Sequence, residues 1–98
     1  MFNFNLQDKA LNDLSKGLMT STQFAMLYLL NKNANGKAVE MYNTFLMDNI
    51  GISVRMVQYN IKKLEEMGYI KVQRATGKNV IKKPNLIEIN NAIDCNNK

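Results

Sequence analysis

Apolar residues recur along this chain at two spacings, three to four residues in some stretches and two in others, and the switches between them lay out its elements. Thr20 and Gln23 stand at the separation of a capping box, in which the threonine oxygen accepts from a free backbone N–H and the glutamine reaches back. Phe24, Leu27, Tyr28 and Leu30 follow as a core-facing stripe, and the stretch from Asn33 to Gly36 predicts the end of that helix. Lys37 to Met41 reads as a short strand. Asn43 predicts the cap of a brief helix through about Asn49, with Phe45, Leu46 and Ile50 turned inward. From Val54 the apolar positions Val57, Ile61 and Leu64 return at helical spacing, and Gly68 stands where a left-handed residue ends such a helix.

After Gly68 the period becomes two. Tyr69-Ile70-Lys71-Val72-Gln73-Arg74 alternates apolar and polar residues, breaks at Ala75 to Asn79 and resumes at Val80-Ile81, the pattern of a hairpin with a glycine-containing tip. Pro84 confines the return strand to an edge or a bulge before Leu86, Ile87 and Ile89 re-enter the pattern. Both periods overlap at the start of the chain. Phe2, Phe4 and Leu6 alternate with asparagines, while Leu6, Ala10, Leu11 and Leu14 are helically spaced, which predicts a short extended start and then a helix ending near Gly17. One face of that segment is too apolar to stand free in water, so it packs on the domain or meets a second subunit. The layout is residues 1–17 as an N-terminal extension, 18–90 as one domain and 91–98 as a polar tail expected to fray.

The tetrapeptide Ile50-Gly51-Ile52-Ser53 carries the most structural information. Glycine permits the positive φ of a sharp turn, Ile52 drops into the core, and Ser53 is a favoured N-cap for the next helix. Two helices joined by such a turn form a helix-turn-helix, and a hairpin directly after the second helix forms a wing. On the 54–66 helix the apolar stripe lies opposite Tyr59, with Arg55 and Lys62 to one side and Met56 and Lys63 to the other. Gln58 and Asn60 are lateral by the same count, Gln58 partly buried. The exposed face is basic and aromatic toward its N-terminal end, while Glu65 and Glu66 occupy the far end and oppose deep seating on a polyanion.

Charge narrows the function. The net charge of +5 is absent from Met1 to Ser53, where four cations meet four anions. Val54 to Gly68 contributes +1, and Tyr69 to Asn90 contributes +4 through Lys71, Arg74, Lys78, Lys82 and Lys83 against Glu88. Such clustering suits a phosphate-binding surface. The 98 residues make one small domain that buries about 65% of its unfolded surface. The chain has no histidine, and its one cysteine, Cys95, lies in the polar tail, so no metal centre, disulfide framework or cofactor is expected. Glu65 and Glu66 point about 100° apart on a helix, unsuited to paired-carboxylate chemistry. The longest apolar run, Phe24 to Leu30, is too short for a bilayer, and Met1 is followed by no signal-like segment; a cytoplasmic, non-enzymatic protein without a membrane partner is expected.

From Leu18 to Ile89 the chain resembles a winged helix-turn-helix domain, most specifically in Ile50-Gly51-Ile52-Ser53 and in Lys63-Leu64-Glu65-Glu66-Met67-Gly68-Tyr69-Ile70. The resemblance implies an α+β fold, a three-helix core with a C-terminal β-hairpin wing, whose 54–66 helix enters the major groove of double-stranded DNA. Its small size and Asn and Lys richness are similar to small DNA-binding proteins of plasmids and phages, including relaxosome accessory proteins of conjugative plasmids. That likeness implies an origin-marking role beside a relaxase or replication protein, with a small transcriptional repressor as the alternative. A winged-helix protein-interaction module is the alternative of another class.

The expected DNA contacts are Ser53, Arg55, Met56, Tyr59, Lys62 and Lys63 on the helix, and Lys71, Arg74, Thr76, Gly77, Lys78, Asn79, Lys82 and Lys83 on the wing. Arg55 suits a guanine edge, Tyr59 suits a phosphate or a protein interface, and Met56 suits a thymine methyl or packing. The wing is expected to contribute more affinity than the helix because it holds more of the charge. A homodimer reading two half-sites is expected from the apolar N-terminal segment.

Overall fold

Asn3 opens the first helix. Its side chain accepts from the Leu6 N–H at 3.0 Å, and α1 runs over Phe4–Ser15. The computed structural model describes residues 3–34, 38–73 and 85–90. Phe4 and Leu6 therefore lie in the first helical turn and not in an extended start; the cap and the burial of Leu6 and Ala10 against the next helix outweigh the local alternation. α1 is part of the core. Leu6 and Ala10 are completely buried, and Asn31 clamps the helix start by accepting from the Asn3 N–H at 2.8 Å and donating to the Asn3 carbonyl at 2.9 Å. The core expected from three helices thus takes in a fourth.

α2 (Ser21–Asn33) begins with the expected capping box: the Gln23 N–H donates to Thr20 Oγ1, and the Thr20 N–H donates to Gln23 Oε1, both at 3.1 Å. Its buried arc runs through Gln23, Met26, Leu27, Leu30 and Asn31, because α2 is packed against α1 on one side and later helices on the others. Tyr28 lies roughly 130° from the centre of that arc. It is exposed, under the Lys32 ammonium at 6.0 Å, while Met26 is fully buried.

The short strand forms as β1 (Ala38–Met41), followed by α3 (Asn43–Ile50). Tyr42, not Asn43, is the N-cap residue, and it makes no side-chain capping bond. Asn43 is instead buried, its Oδ1 accepting from Asn85 Nδ2 at 3.3 Å. Met41 pairs with Asn85 in the sheet, which brings the two asparagines together. Leu46 is fully buried and Ile50 half-buried, but Phe45 faces outward. α4 (Val54–Glu66) ends at Met67 and is followed by Gly68 at φ 86°, as the glycine position predicts.

Among the described residues, β2 (Ile70–Gln73) and β3 (Asn85–Ile89) complete a three-stranded antiparallel sheet in the order β1-β3-β2. β3 is thus central, not an edge, and Pro84 itself lies outside the described residues. Val39, Ile87 and Val72 line up across the sheet on its core side. The expected hairpin tip, with Val80 and Ile81, and the expected fraying of 91–98 lie outside the described residues.

Tyr69 joins the sheet to α1. The side chain is fully buried, its O–H donates to the Asp13 carboxylate, and Lys9 Nζ sits 3.3 Å from the same carboxylate and 5.6 Å over the phenol ring. Burial first, and then the hydrogen bond and charge of Asp13, hold the phenol well above its ordinary ionisation range.

Candidate nucleic-acid interface

The turn between α3 and α4 aims the second helix. Gly51 adopts φ 78° and its N–H closes α3 on the Met47 carbonyl at 2.8 Å, a left-handed conformation that costs other L-residues about 1–2 kcal/mol. Ile52 packs partly against the core, and Ser53 Oγ accepts from the Met56 N–H at 3.2 Å. Ser53 is committed to capping as an acceptor, yet its hydroxyl keeps a proton to donate.

Val57, Asn60, Ile61 and Leu64 form the buried face of α4, leaving Arg55, Met56, Gln58, Tyr59 and Lys62 exposed. Among the described residues neither Arg55 nor Lys62 is in an ion pair. Lys63 differs: it is half-buried, 3.7 Å from Glu66 Oε1 and 5.5 Å over the Tyr59 ring. A phosphate must compete with those partners for it. Tyr59 is 52% exposed and Met56 43%, so both present real surface to a groove.

Two expectations about α4 change. Gln58 is exposed, not partly buried, and Asn60 is inside at 3% exposure. Taking Asn60 inward turns the buried stripe toward it and carries Gln58, about 100° from Val57, out to solvent. The outward face therefore includes an amide able to read a base edge. The signal was present in the three-residue step from Val57 to Asn60. Polarity alone hid it.

The acidic end of α4 is also occupied. Glu65 Oε2 accepts from the Val72 N–H at 3.3 Å, tying the end of the helix to β2, while Glu66 faces Lys63. Neither carboxylate stands as a bare repulsive charge. On the solvent side of the sheet, Lys71 lies directly across from Glu88, with Gln73, Leu86, Glu40 and Ala38 on the same face. Lys71 thus shares its surface with two carboxylates, which weakens its part in phosphate contact. Arg74, Thr76, Gly77, Lys78, Asn79, Lys82 and Lys83 lie outside the described residues. Among the described residues no group of Cys, Asp or Glu is placed to hold a metal ion, and no helix is long and apolar enough to cross a membrane.

Four helices among the described residues, a small antiparallel sheet and a capped helix presented by a glycine turn define an α+β winged helix-turn-helix fold. A family model described as winged helix-turn-helix DNA-binding matches residues 44–71, from α3 into β2. The chain matches no curated protein and no solved structure.

Proposed function

We propose that this protein binds double-stranded DNA sequence-selectively and without catalysis. The observation that carries this reading is the exposed face of α4, where Arg55, Met56, Gln58, Tyr59 and Lys62 project from a helix capped by Ser53 and aimed by Gly51, inside the segment that matches a DNA-binding family. The N-terminal half of α4 reads base edges, and the cations between β2 and β3, Arg74, Lys78, Lys82 and Lys83, neutralise flanking phosphates.

The role we assign is an accessory factor at a plasmid transfer or replication origin, acting beside a relaxase or replication protein; what supports it is the small size and the Asn and Lys richness of the sequence. A cytoplasmic homodimer on two half-sites accords with Phe4 and Leu11, which are 69% and 54% exposed on the outer side of α1. Selecting bound duplex fragments from the source genome tests the whole reading. Enrichment of an origin region with paired half-sites supports it, enrichment of promoters favours a repressor, and no enrichment with no duplex affinity leaves a protein-interaction module. Sedimentation that shows only monomer at micromolar concentration, with one chain per DNA site, contradicts the dimer.

A further inference from the structure

Two amides lie where apolar side chains would serve for burial alone. Gln23 on α2 and Asn60 on α4 are 7% and 3% exposed, and Gln23 Nε2 donates to Asn60 Oδ1 at 3.1 Å. The connection continues at both ends. Asn60 Nδ2 donates to the Met56 carbonyl at 2.9 Å, and Gln23 Oε1 accepts from the Thr20 N–H at 3.1 Å. An unbroken polar path therefore runs from the cap of α2 to the backbone of α4 beneath the exposed face, flanked by the fully buried Leu27 and Val57.

The contacts of Val57, Ile61 and Leu64 are non-directional and tolerate rotation of α4 about its axis. The amide bridge does not. Its donor and acceptor meet over a narrow range of rotation, and outside it both groups are buried unpaired. We infer that Gln23 and Asn60 are a positioning pair that sets the rotation of α4, and with it which of Arg55, Met56, Gln58 and Tyr59 meets which base pair. This rests on the DNA reading above. A turn of about 30° moves a side-chain tip some 6 Å from the axis by about 3 Å. That is close to the ~3.4 Å rise between successive base pairs, so loss of the set angle scrambles base readout. Phosphate contacts through long cationic side chains, which carry no sequence information, tolerate it.

The test replaces the pair by Gln23→Leu with Asn60→Leu, which removes both amides together, so that neither stays buried and unpaired, and leaves the N–H of the exposed Thr20 to water. Wild type and variant are each used to select from a duplex library with a randomised core. Thermal unfolding and affinity for one arbitrary duplex are measured alongside. The expected variant is folded, binds the arbitrary duplex within about threefold of wild type, and has its preference among sequences flattened by about tenfold or more. Exchange of the two residues, Gln23→Asn with Asn60→Gln, keeps both amides and their summed length and is expected to restore a sharp preference. It serves as the decisive variant if the leucine pair does not fold. Undiminished preference in the leucine pair, or a folded exchange variant with flattened preference, overturns the positioning role. A wild-type chain that selects no sequence refutes the DNA reading itself, and the positioning role falls with it.

Discussion

Replacing Tyr69 by Phe removes one hydroxyl from the core and leaves the ring in place. The bond lost is to a carboxylate, a class worth about 1.5–3 kcal/mol. Asp13 keeps Lys9 at 3.3 Å and a 13% exposed side chain, so its acceptor capacity is partly refilled and the expected cost falls to about 1–2 kcal/mol at neutral pH. The pH dependence has a definite sign. The folded phenol ionises above its unfolded value, so its stabilisation is whole below about pH 10 and is lost as pH rises toward the folded value. At about pH 11 the linkage costs wild type roughly 1.4 kcal/mol that the Phe variant does not lose. Tyr28, Tyr42 and Tyr59 are exposed and common to both proteins. Urea unfolding of the two, from about pH 7 to 11, is expected to show a gap that narrows steadily above pH 10 and nearly closes by pH 11. A gap of constant size across that range, or none at neutral pH, refutes the buried Tyr69–Asp13 bond.

Leu6→Ala is expected to destabilise the domain by about 2–5 kcal/mol in the same assay, since Leu6 is fully buried and α1 belongs to the core; a cost below about 0.5 kcal/mol would place residues 1–17 outside the folding unit. In duplex titrations of folded variants, Arg74→Ala and Lys78→Ala are each expected to cost about 1 kcal/mol or more, and Arg55→Ala and Lys62→Ala less. Loss of all binding in the helix variants with little change in the wing variants reverses that ranking. Gln58→Ala is expected to relax base preference at one position of the selected site while leaving affinity for arbitrary duplex nearly unchanged. Unaltered preference excludes Gln58 from base reading.

The elements were legible where local chemistry and periodicity agree. Thr20 with Gln23, Gly51 with Ser53, and Gly68 each mark a helix boundary that depends only on nearby backbone groups. Which face a residue takes was less legible where partners come from far along the chain. Tyr28 and Phe45 look like core residues by hydropathy, but the directions from which α2 and α3 are covered depend on tertiary packing. Asn31, Asn43 and Asn60 look like surface residues, and each is buried because a distant group, Asn3, Asn85 or Gln23, meets its amide. The same blindness concealed Gln58. Charge counting located the basic region but not the cross-strand placement of Glu88 opposite Lys71, which is set by register.

Duplex binding measured against salt tests the central claim most directly. If about five phosphates are neutralised, log K is expected to fall against log salt with a slope near −4 to −5, and a selected site is expected to outcompete arbitrary duplex at every salt concentration. Binding undetectable at low salt, or affinity almost indifferent to salt, contradicts the DNA reading.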